Sequence, residues 1–320
     1  MDPLSAWNDR ITAAAARLAP LLRETPLEAA AWSNNVLLKL EHLQPTGSFK
    51  IRGATNKIDL LTPEQAAAGV ITASNGNHGM AVAAAARNRG IRAEVYVSSH
   101  VPAEKLQRIR QYGANVQHAG QEPLDAELAA RKAAGQSGKV FISPYNDIDV
   151  IAGQGTIGVE LYRQHPRIDA VFVAAGGGGL IGGIGAFLKS VAPQTEIVGC
   201  WPENSPVLYE CMQAGHIREV IEQPTVSEST AGGLEPDSVT LDLCRNVVDR
   251  GVFVAEAEIL AAMRRILETE HWLIEGAAGV AVAGFLREAP RYEGKTVAIV
   301  ICGRNVSPGV LNLLTTSRTG

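Results

Sequence analysis

Neither a strong charge bias nor a long apolar run is present in this sequence. Its 320 residues include 29 Lys and Arg against 33 Asp and Glu, which gives a net charge of −4 without a block of like charges. Nucleic acid is not an expected partner, because proteins that bind it concentrate positive charge for the phosphates. No stretch approaches the roughly 20 apolar residues of a transmembrane helix, so membrane association is not expected either.

Cysteine is also scarce, and its four copies are scattered. Cys200, Cys211, Cys244 and Cys302 form no Cys-x-x-Cys pair and have no histidine pattern beside them. This argues against a disulfide framework and against a zinc site. The first ten residues are polar and lack the basic-then-apolar order of a secretory signal. We therefore expect a cytoplasmic protein without a metal site.

What the sequence does contain is an alternation of short β-branched runs with Ala-rich helical stretches. This alternation predicts an α/β fold with parallel sheets that helices cover on both faces, and in such folds ligands bind beyond the carboxyl ends of the strands. The predicted strands are 36–41, 69–73, 93–97, 140–143, 170–174, 196–199 and 296–301. The predicted helices include 79–88, 102–112, 121–134, 156–164, 181–191, 257–270 and 276–287.

Three predicted strands end in turns that are rich in glycine and polar residues. The first has the sequence Ser-Asn-Gly-Asn-His-Gly at 74–79, the second is a run of four glycines at 176–179, and the third is Cys-Gly-Arg-Asn at 302–305. Because strand-to-helix loops of parallel sheets form the ligand crevice, we expect the functional residues in these three turns.

Lys50 is placed in the first turn of a further predicted helix. A lysine there opposes the helix dipole, and with a desolvating neighbour such as Phe49 this lowers the pKa of its ammonium group. The free amine is the form that condenses with an aldehyde. Taken alone, however, a lysine is more often a solvated surface charge.

The glycine run at 176–179 favours an anion site. Its backbone amides can approach an anion at the start of the next helix, where the helix dipole also favours negative charge. A flexible linker would not be expected between an apolar strand and an apolar helix. The Gly-Lys-Ser/Thr ending of a nucleoside triphosphate loop is missing. Gly177, Gly179 and Gly182 match the dinucleotide fingerprint, so a nicotinamide-dependent oxidoreductase is an alternative.

The turn at 74–79 permits two interpretations. Its hydroxyl and amide side chains, with backbone N–H groups at a helix start, suit a carboxylate or a ring oxygen. Serine and Asn-Gly are also common turn formers, so the same residues are compatible with a simple capped turn. His78 alone does not decide between the two.

Taken in order, these motifs resemble the fold-type II pyridoxal-phosphate enzymes, specifically the serine/threonine dehydratase and serine racemase family. The resemblance covers most of the chain and rests on the segments 25–27, 48–54, 74–79, 150–156, 176–179, 274–279 and 302–306. It implies an α/β fold like that of the tryptophan synthase β chain, with two domains that each contain a mainly parallel sheet flanked by helices. Residues 1–68 and 148–320 would form the large cofactor-binding domain, and residues 69–147 the small mobile domain.

The resemblance also implies roles for single residues. Lys50 would carry pyridoxal 5'-phosphate covalently and, once freed, would remove the Cα proton of the substrate. Ser74, Asn75 and His78 would line the pocket for the substrate carboxylate. The residues implied to bind the cofactor, besides Lys50, are Phe49, Asn77, Gly176, Gly177, Gly178, Gly179, Leu180, Glu275 and Cys302.

The implied chemistry is loss of water from a β-hydroxy amino acid, followed by deamination to a 2-oxo acid and ammonia. Phe49 would pack on the cofactor ring, Asn77 would bond its 3-oxygen, and Cys302 would face its nitrogen. Because a thiol is a weak donor, the ring would be a moderate electron sink, which suits elimination better than a long-lived carbanion. The family analogy also implies a homodimer.

Several positions depart from the family pattern. Racemases place a serine as second base where this chain has Asn75, and an amide cannot take a proton, so we expect no efficient racemisation. Relatives that bind a divalent cation have carboxylates at the positions of Trp201 and Val207, so no such site is expected here. Gly232 replaces an acidic residue. Arg304 either meets an extra substrate carboxylate or points to solvent.

Four alternatives therefore accompany the dehydratase interpretation. They are an amino-acid racemase of the same fold, a β-replacement synthase, a non-catalytic relative that merely binds the cofactor, and the nicotinamide-dependent oxidoreductase. The sequence also leaves the substrate open among threonine, serine and related hydroxy amino acids such as a hydroxyaspartate.

Overall fold

Two sheets flanked by helices make up the computed structural model, which describes residues 3–99, 101–121 and 123–316. Its strands are β1 (Leu27–Ala30), β2 (Ser33–Lys39), β3 (Val70–Ala73), β4 (Ala93–Val97), β5 (Asn115–His118), β6 (Val140–Phe141), β7 (Ala170–Ala174), β8 (Glu196–Pro202), β9 (Arg250–Val254) and β10 (Val297–Val300). Its α-helices are α1 (Pro3–Leu18), α2 (Lys50–Asp59), α3 (Pro63–Ala68), α4 (Asn77–Asn88), α5 (Ala103–Gln111), α6 (Pro123–Ser137), α7 (Ile148–Gln164), α8 (Gly179–Val191), α9 (Val207–Ala214), α10 (Thr240–Val247), α11 (Glu256–Thr269), α12 (Gly276–Glu288) and α13 (Pro308–Thr316). Short 3₁₀ turns lie at Glu41–Leu43 and Ala289–Tyr292. Within these described ranges, no helix is both long enough and apolar enough to cross a membrane.

The larger sheet has the strand order β1-β2-β10-β7-β8-β9. All of its neighbours run parallel except β1, which is antiparallel to β2. Helices α8 and α12 both pack on the central strands β7 and β8, and every residue of β7 is buried. Burial on both faces explains why this strand reads as a continuous apolar run. The predicted parallel architecture is confirmed.

The smaller sheet has the order β5-β4-β3-β6, and all of its strands are parallel. Helices α4 and α6 pack against it. Its apolar core also includes Ile51, Ala54 and Ile58 on one side of α2. Helix α2 therefore packs against the smaller sheet layer, although it precedes that sheet in the chain.

The elements that the sequence did not predict include three strands and the first part of one helix. Strands β1, β5 and β9 are short, and the edge strand β5 has no buried residue, so it lacks the apolar pattern of a strand. Helix α7 begins at Ile148, where Asp147 accepts hydrogen bonds from the first turn, and not at residue 156. Glycines in the first two turns of α7 hid the helical pattern in the sequence. Close packing against α2 explains one of them, because a Cβ on Gly153 would lie 2.6 Å from the Cα of Gly53.

A buried cluster of ion pairs also holds the start of α2. Arg52 donates to both carboxylate oxygens of Glu41 at 2.7 Å and to those of Glu160 at 2.6 and 2.8 Å. Lys39 donates to Glu160 at 2.6 Å, and Thr25 donates to Glu41 at 2.5 Å. Two cations thus face two carboxylates, so the buried charges compensate one another. Such a cluster fixes a geometry more than it adds stability.

Replacing Glu41 by Gln should destabilise the protein by about 3–5 kcal/mol, since buried positive charge would lose its counter-ion. Urea unfolding followed by tryptophan fluorescence measures this change. Glu203→Gln is the matched control, because its ion pair with Arg287 is exposed to solvent and should contribute about 0.5 kcal/mol or less. A loss below about 1 kcal/mol for Glu41→Gln would contradict the assignment.

The same cluster predicts how stability depends on pH. Burial by itself would raise the pKa of Glu41, but the charge and hydrogen bonds of Arg52 outweigh it and hold the pKa below the ordinary value of 4.5. A carboxylate with a depressed pKa stabilises the fold above its unfolded-state pKa and loses that effect as the pH falls through its folded-state pKa. The stability difference between wild type and Glu41→Gln should therefore be full above pH 4.5 and shrink below it. A pH-independent difference would contradict this.

Candidate active site

The three predicted turns meet in one cleft between the two sheets. This cleft has a volume of about 1250 Å³, and Lys50, Ser74, Asn75, Asn77 and His78 all line it. The residues lining its inner end include Phe49, Lys50, Asn77, Gly176, Gly177, Gly178, Gly179, Leu180, Glu275 and Cys302. The structure thus brings together every residue that the sequence implied for the site.

Backbone pairing places Lys50 opposite the third turn. Ser48 forms a short antiparallel bridge with Gly303. The backbone N–H of Phe49 donates to the carbonyl of Cys302 at 3.0 Å. The backbone N–H of Arg304 donates to the carbonyl of Gly47 at 2.9 Å. Since α2 begins immediately afterwards, this pairing sets where the lysine side chain enters the cleft.

Lys50 is the first residue of α2, as predicted. Its Nζ donates to the carbonyl of Pro144 at 2.8 Å and lies 5.2 Å from the ring centre of Phe49. Burial lowers the pKa of Lys50 to about 8, although the negative charge of Glu275 acts in the opposite direction. The amine is therefore far more often neutral near physiological pH than that of an ordinary lysine.

The glycine run forms a tight cradle at the start of α8. Gly178 has φ of +89°, a left-handed conformation, and a Cβ there would lie 2.9 Å from Sγ of Cys244. A Cβ on Gly177 would lie 2.4 Å from the ring of Tyr145. Among the described residues no side chain caps the first turn of α8. Its backbone N–H groups and the helix dipole are therefore available to an anion such as a phosphate group.

Glu275 is a buried carboxylate at the inner end of the cleft. It accepts hydrogen bonds at 2.9 Å from the amide nitrogen of Asn77 and at 3.0 Å from the backbone N–H of Asn305. Burial raises its pKa, while these hydrogen bonds oppose the shift. Burial likewise raises the pKa of the Cys302 thiol, which therefore stays protonated at neutral pH. A neutral thiol and a hydrogen-bonded carboxylate thus lie side by side.

The side chains of the 74–79 turn are held by local hydrogen bonds. Ser74 Oγ accepts from the amide of residue 76 at 3.1 Å. The amide group of Asn75 donates to Ser98 Oγ at 3.0 Å and accepts from the Ser98 N–H at 3.1 Å. His78 Nε2 lies 3.0 Å from the carbonyl of Ile142, and burial with the Lys50 charge lowers its pKa to about 3. His78 is therefore neutral, and its Nδ1 is an acceptor.

The positions that depart from the family pattern have different surroundings. Trp201 is fully buried and stacks on Phe253, and Val207 is also buried. In the part of the chain that the structure describes, no three His, Cys, Asp or Glu side chains are close enough to hold a metal ion. Gly232 and Arg304 both line the cleft, and the Arg304 side chain is exposed.

Several residues at the site were not among those predicted from the sequence, and four of them carry polar side chains that bear on the site. Tyr145, Ser229 and Thr230 line both the inner end and the outer cleft. No motif marks Tyr145 or Ser229, and Thr230 only adjoins the Gly232 segment, because these irregular segments reach the glycine run only in the folded chain. Asn305 lies within a motif that the sequence did reveal, but its hydrogen bond to Asn77 is visible only in the structure.

Comparison with known proteins gives consistent matches. The profile of a family described as pyridoxal-phosphate dependent enzyme matches residues 16–303. An L-threonine ammonia-lyase of Thermotoga maritima is 40% identical over 277 residues, which cover 87% of this chain and 69% of that protein. The processed form of threonine deaminase isoform 2 from Solanum lycopersicum has a TM-score of 0.92 at 31% identity, covering 98% and 93% of the two chains. Maize serine racemase has a TM-score of 0.89 at 30% identity, covering 95% of each.

The residues present also fit the cofactor of that family. The glycine cradle at the uncapped start of α8 suits a phosphate group, and Lys50 offers an amine with a lowered pKa to an aldehyde. Both features lie in one continuous cleft, whereas a dinucleotide would not need the lysine. Because the matching family is that of pyridoxal-phosphate-dependent enzymes, the comparisons do not support the nicotinamide-dependent alternative. The chain belongs to the family of pyridoxal-phosphate-dependent enzymes and has the fold-type II architecture expected from its sequence.

Proposed function

We propose that this protein is an ammonia-lyase that converts a β-hydroxy amino acid, such as threonine or serine, into a 2-oxo acid and ammonia. The observation that carries the proposal is the Lys50 amine, with a pKa of about 8, in one cleft with the glycine cradle. Its similarity to a threonine ammonia-lyase and a threonine deaminase supports this choice of reaction.

Lys50 has two tasks in this proposal. When bound, pyridoxal phosphate supplies an aldehyde for the substrate amine and a conjugated ring that stabilises negative charge at the substrate Cα. Lys50 would hold the cofactor through its amine and, after release, would accept the Cα proton. The lowered pKa serves both tasks because each requires an unprotonated amine.

The remaining residues at the inner end would bind and orient. The backbone N–H groups at the start of α8 would hold the phosphate group, and Phe49 would pack on the ring. Asn77 would donate a hydrogen bond to the ring 3-oxygen, with Glu275 behind it. Cys302 would face the ring nitrogen as a protonated thiol. Such a weak donor favours rapid elimination over a long-lived carbanion.

The 74–79 turn would receive the substrate carboxylate. It leads into α4, whose 12 residues begin at Asn77, so the helix dipole favours an anion at this end. Ser74 and Asn75 line the cleft here, and His78 is neutral beneath them. A neutral histidine avoids an additional buried charge next to Lys50.

We also propose that residues 69–147 move as a small domain that closes over the substrate. Helices α5 and α6 make three side-chain contacts to the larger layer at the cleft mouth, and these contacts would break when the cleft opens. They are Lys105 to Glu228 at 2.7 Å, Arg108 to Asn305 at 2.9 Å and Arg131 to Glu235 at 2.5 Å. Closure of this kind excludes water from the reacting atoms.

Racemisation is the second activity to consider, because maize serine racemase has a similar fold. Racemisation requires a second base on the face opposite Lys50. The residue at the corresponding position is Asn75, whose amide makes both of its hydrogen bonds to Ser98. The lyase is therefore the favoured proposal. The homodimer and the cytoplasmic location stay predictions, which light scattering and cell fractionation would test.

Lys50→Ala should lower 2-oxo acid release by about 10³-fold, because both the covalent link and the Cα base are lost. Wild type and variant are assayed against a panel of β-hydroxy amino acids that includes threonine, serine and 3-hydroxyaspartate. Lys57→Ala is the matched control, since Lys57 lies in the same helix and pairs with Asp147 and Asp149. Release of 2-oxo acid by Lys50→Ala at the wild-type rate, or no release from any substrate by wild type, would contradict the proposal.

The lowered pKa of Lys50 predicts a pH dependence in cofactor-free protein. The rate of covalent attachment of pyridoxal phosphate, trapped with borohydride and assigned by peptide mass, should rise to a plateau with a midpoint near pH 8. Lys57 is the internal control: burial lowers its pKa, but the hydrogen bonds that Lys57 donates to Asp147 and Asp149 outweigh this and raise it above 10.5. Its labelling should therefore still increase beyond that pH. A Lys50 midpoint at or above 10.5 would overturn the assignment.

Asn75→Ser should introduce racemisation. Wild type should form no detectable D-serine from L-serine. The hydroxyl in the variant supplies a proton donor and acceptor and should raise inversion at least about 10²-fold above the upper limit for wild type. Asn75→Ala is the matched control, since it removes the same amide without adding a base. Chiral chromatography of the amino acid pool measures the effect. Rapid inversion by wild type, or equal inversion by the two variants, would be the contrary result.

A further inference from the structure

Asn305 lies at the junction of four groups around the site. Its side-chain nitrogen donates to the carbonyl of Thr46 at 3.0 Å and to Oδ1 of Asn77 at 2.6 Å. Its side-chain oxygen accepts from the guanidinium of Arg108 at 2.9 Å. Its backbone N–H donates to Glu275 at 3.0 Å. The residue thus connects the turn before α2, helices α4 and α5, and the buried carboxylate.

The partners of Asn305 fix which way its amide points. A backbone carbonyl can only accept a hydrogen bond, and a guanidinium can only donate one. The nitrogen must therefore face Thr46 and the oxygen must face Arg108. The second hydrogen on that nitrogen then requires an acceptor, so Asn77 must present its own oxygen.

This requirement fixes the amide of Asn77 in turn. With its oxygen engaged by Asn305, the Asn77 nitrogen points to Glu275, at 2.9 Å from both carboxylate oxygens. Its remaining hydrogen has only a long contact of 3.4 Å to Ser229 Oγ. One donor of Asn77 is thus left for a stronger acceptor at the inner end of the cleft.

The turn before α2 leaves room for the side chain of Asn305. Gly47 has φ of +77°, and a Cβ there would lie 2.9 Å from Oδ1 of Asn305. A side chain at residue 47 would therefore displace the amide. The same turn leads into Lys50, so the lysine and the Asn305 network are built on one segment.

We propose that Asn305 is a positioning residue that keeps the nitrogen of Asn77 directed at the ring oxygen of the cofactor. The inference rests on the proposed role of Asn77 within the ammonia-lyase. Without Asn305, the side-chain amide of Asn77 can rotate by half a turn. Its oxygen would then face the ring oxygen and Glu275, and neither of these can donate a hydrogen bond to it. Arg108 belongs to α5 in the smaller sheet layer, so closure of that layer completes the chain of hydrogen bonds from Arg108 through Asn305 to Asn77.

Asn305→Asp tests the inference, because it keeps the shape and the acceptor for Arg108 but removes both side-chain donors. Titration of cofactor-free protein with pyridoxal phosphate should show binding weakened by about tenfold or more, and the visible absorbance of the bound cofactor should change its pH dependence. Arg108→Ala, at an exposed position, should weaken binding by about twofold to tenfold. Asn246→Asp, a solvent-exposed amide on α10, is the matched control and should bind as wild type does.

A double variant separates positioning from a general structural effect. If Asn305 acts through Asn77, adding Asn305→Asp to Asn77→Ala should weaken cofactor binding no further. Additive losses, or wild-type affinity and absorbance in Asn305→Asp, would overturn the inference. The measurement needs no turnover. A wild type that binds cofactor but releases no 2-oxo acid would therefore contradict the proposed function and not this inference.

Discussion

The buried contact between Arg52 and two carboxylates is the constraint on which the site depends. Arg52 is two residues from Lys50 in the first turn of α2, and its five nitrogen–oxygen contacts to Glu41, Glu160 and Thr156 leave the helix start little freedom. Buried ion pairs of this kind add little net stability but tolerate few alternative geometries. The ion-pair cluster holds one side of α2, and the apolar core of the smaller sheet packs on another. Because the start of the helix is held in this way, the amine of Lys50 occupies one position in the cleft.

The position of Lys50 sets the ionisation states of the groups in the site. The amine enters a cleft whose walls are backbone amides on one side and a neutral thiol beside a hydrogen-bonded carboxylate on the other. Burial lowers the pKa of Lys50 and raises those of Cys302 and Glu275, because desolvation disfavours the charged form of each group. One physical cause thus makes the lysine a better nucleophile and the thiol a weaker acid.

In the proposed closure, the contacts at the cleft mouth would connect motion with chemistry. Helices α5 and α6 of the smaller layer reach across to Glu228, Asn305 and Glu235 of the larger one. Two of these contacts are ion pairs near the surface, where such pairs contribute little free energy and can break readily. The third ends on the network that orients Asn77. A closing movement would therefore both exclude water and complete the alignment of the inner residues.

The sequence by itself determined the parallel α/β class, most of the central strands and the site residues that belong to strand-end motifs, because buried parallel strands and glycine-rich turns leave local patterns. It did not reveal the edge strand β5, whose residues lack the apolar alternation of a strand. It also did not reveal the start of α7, where glycines at the contact with α2 interrupt the helical pattern of apolar residues. Tyr145, Ser229 and the partners of Asn305 became evident only in the tertiary structure. Their positions depend on contacts between segments that are far apart in the chain. Such contacts leave no repeating pattern of apolar and polar residues from which they could be predicted.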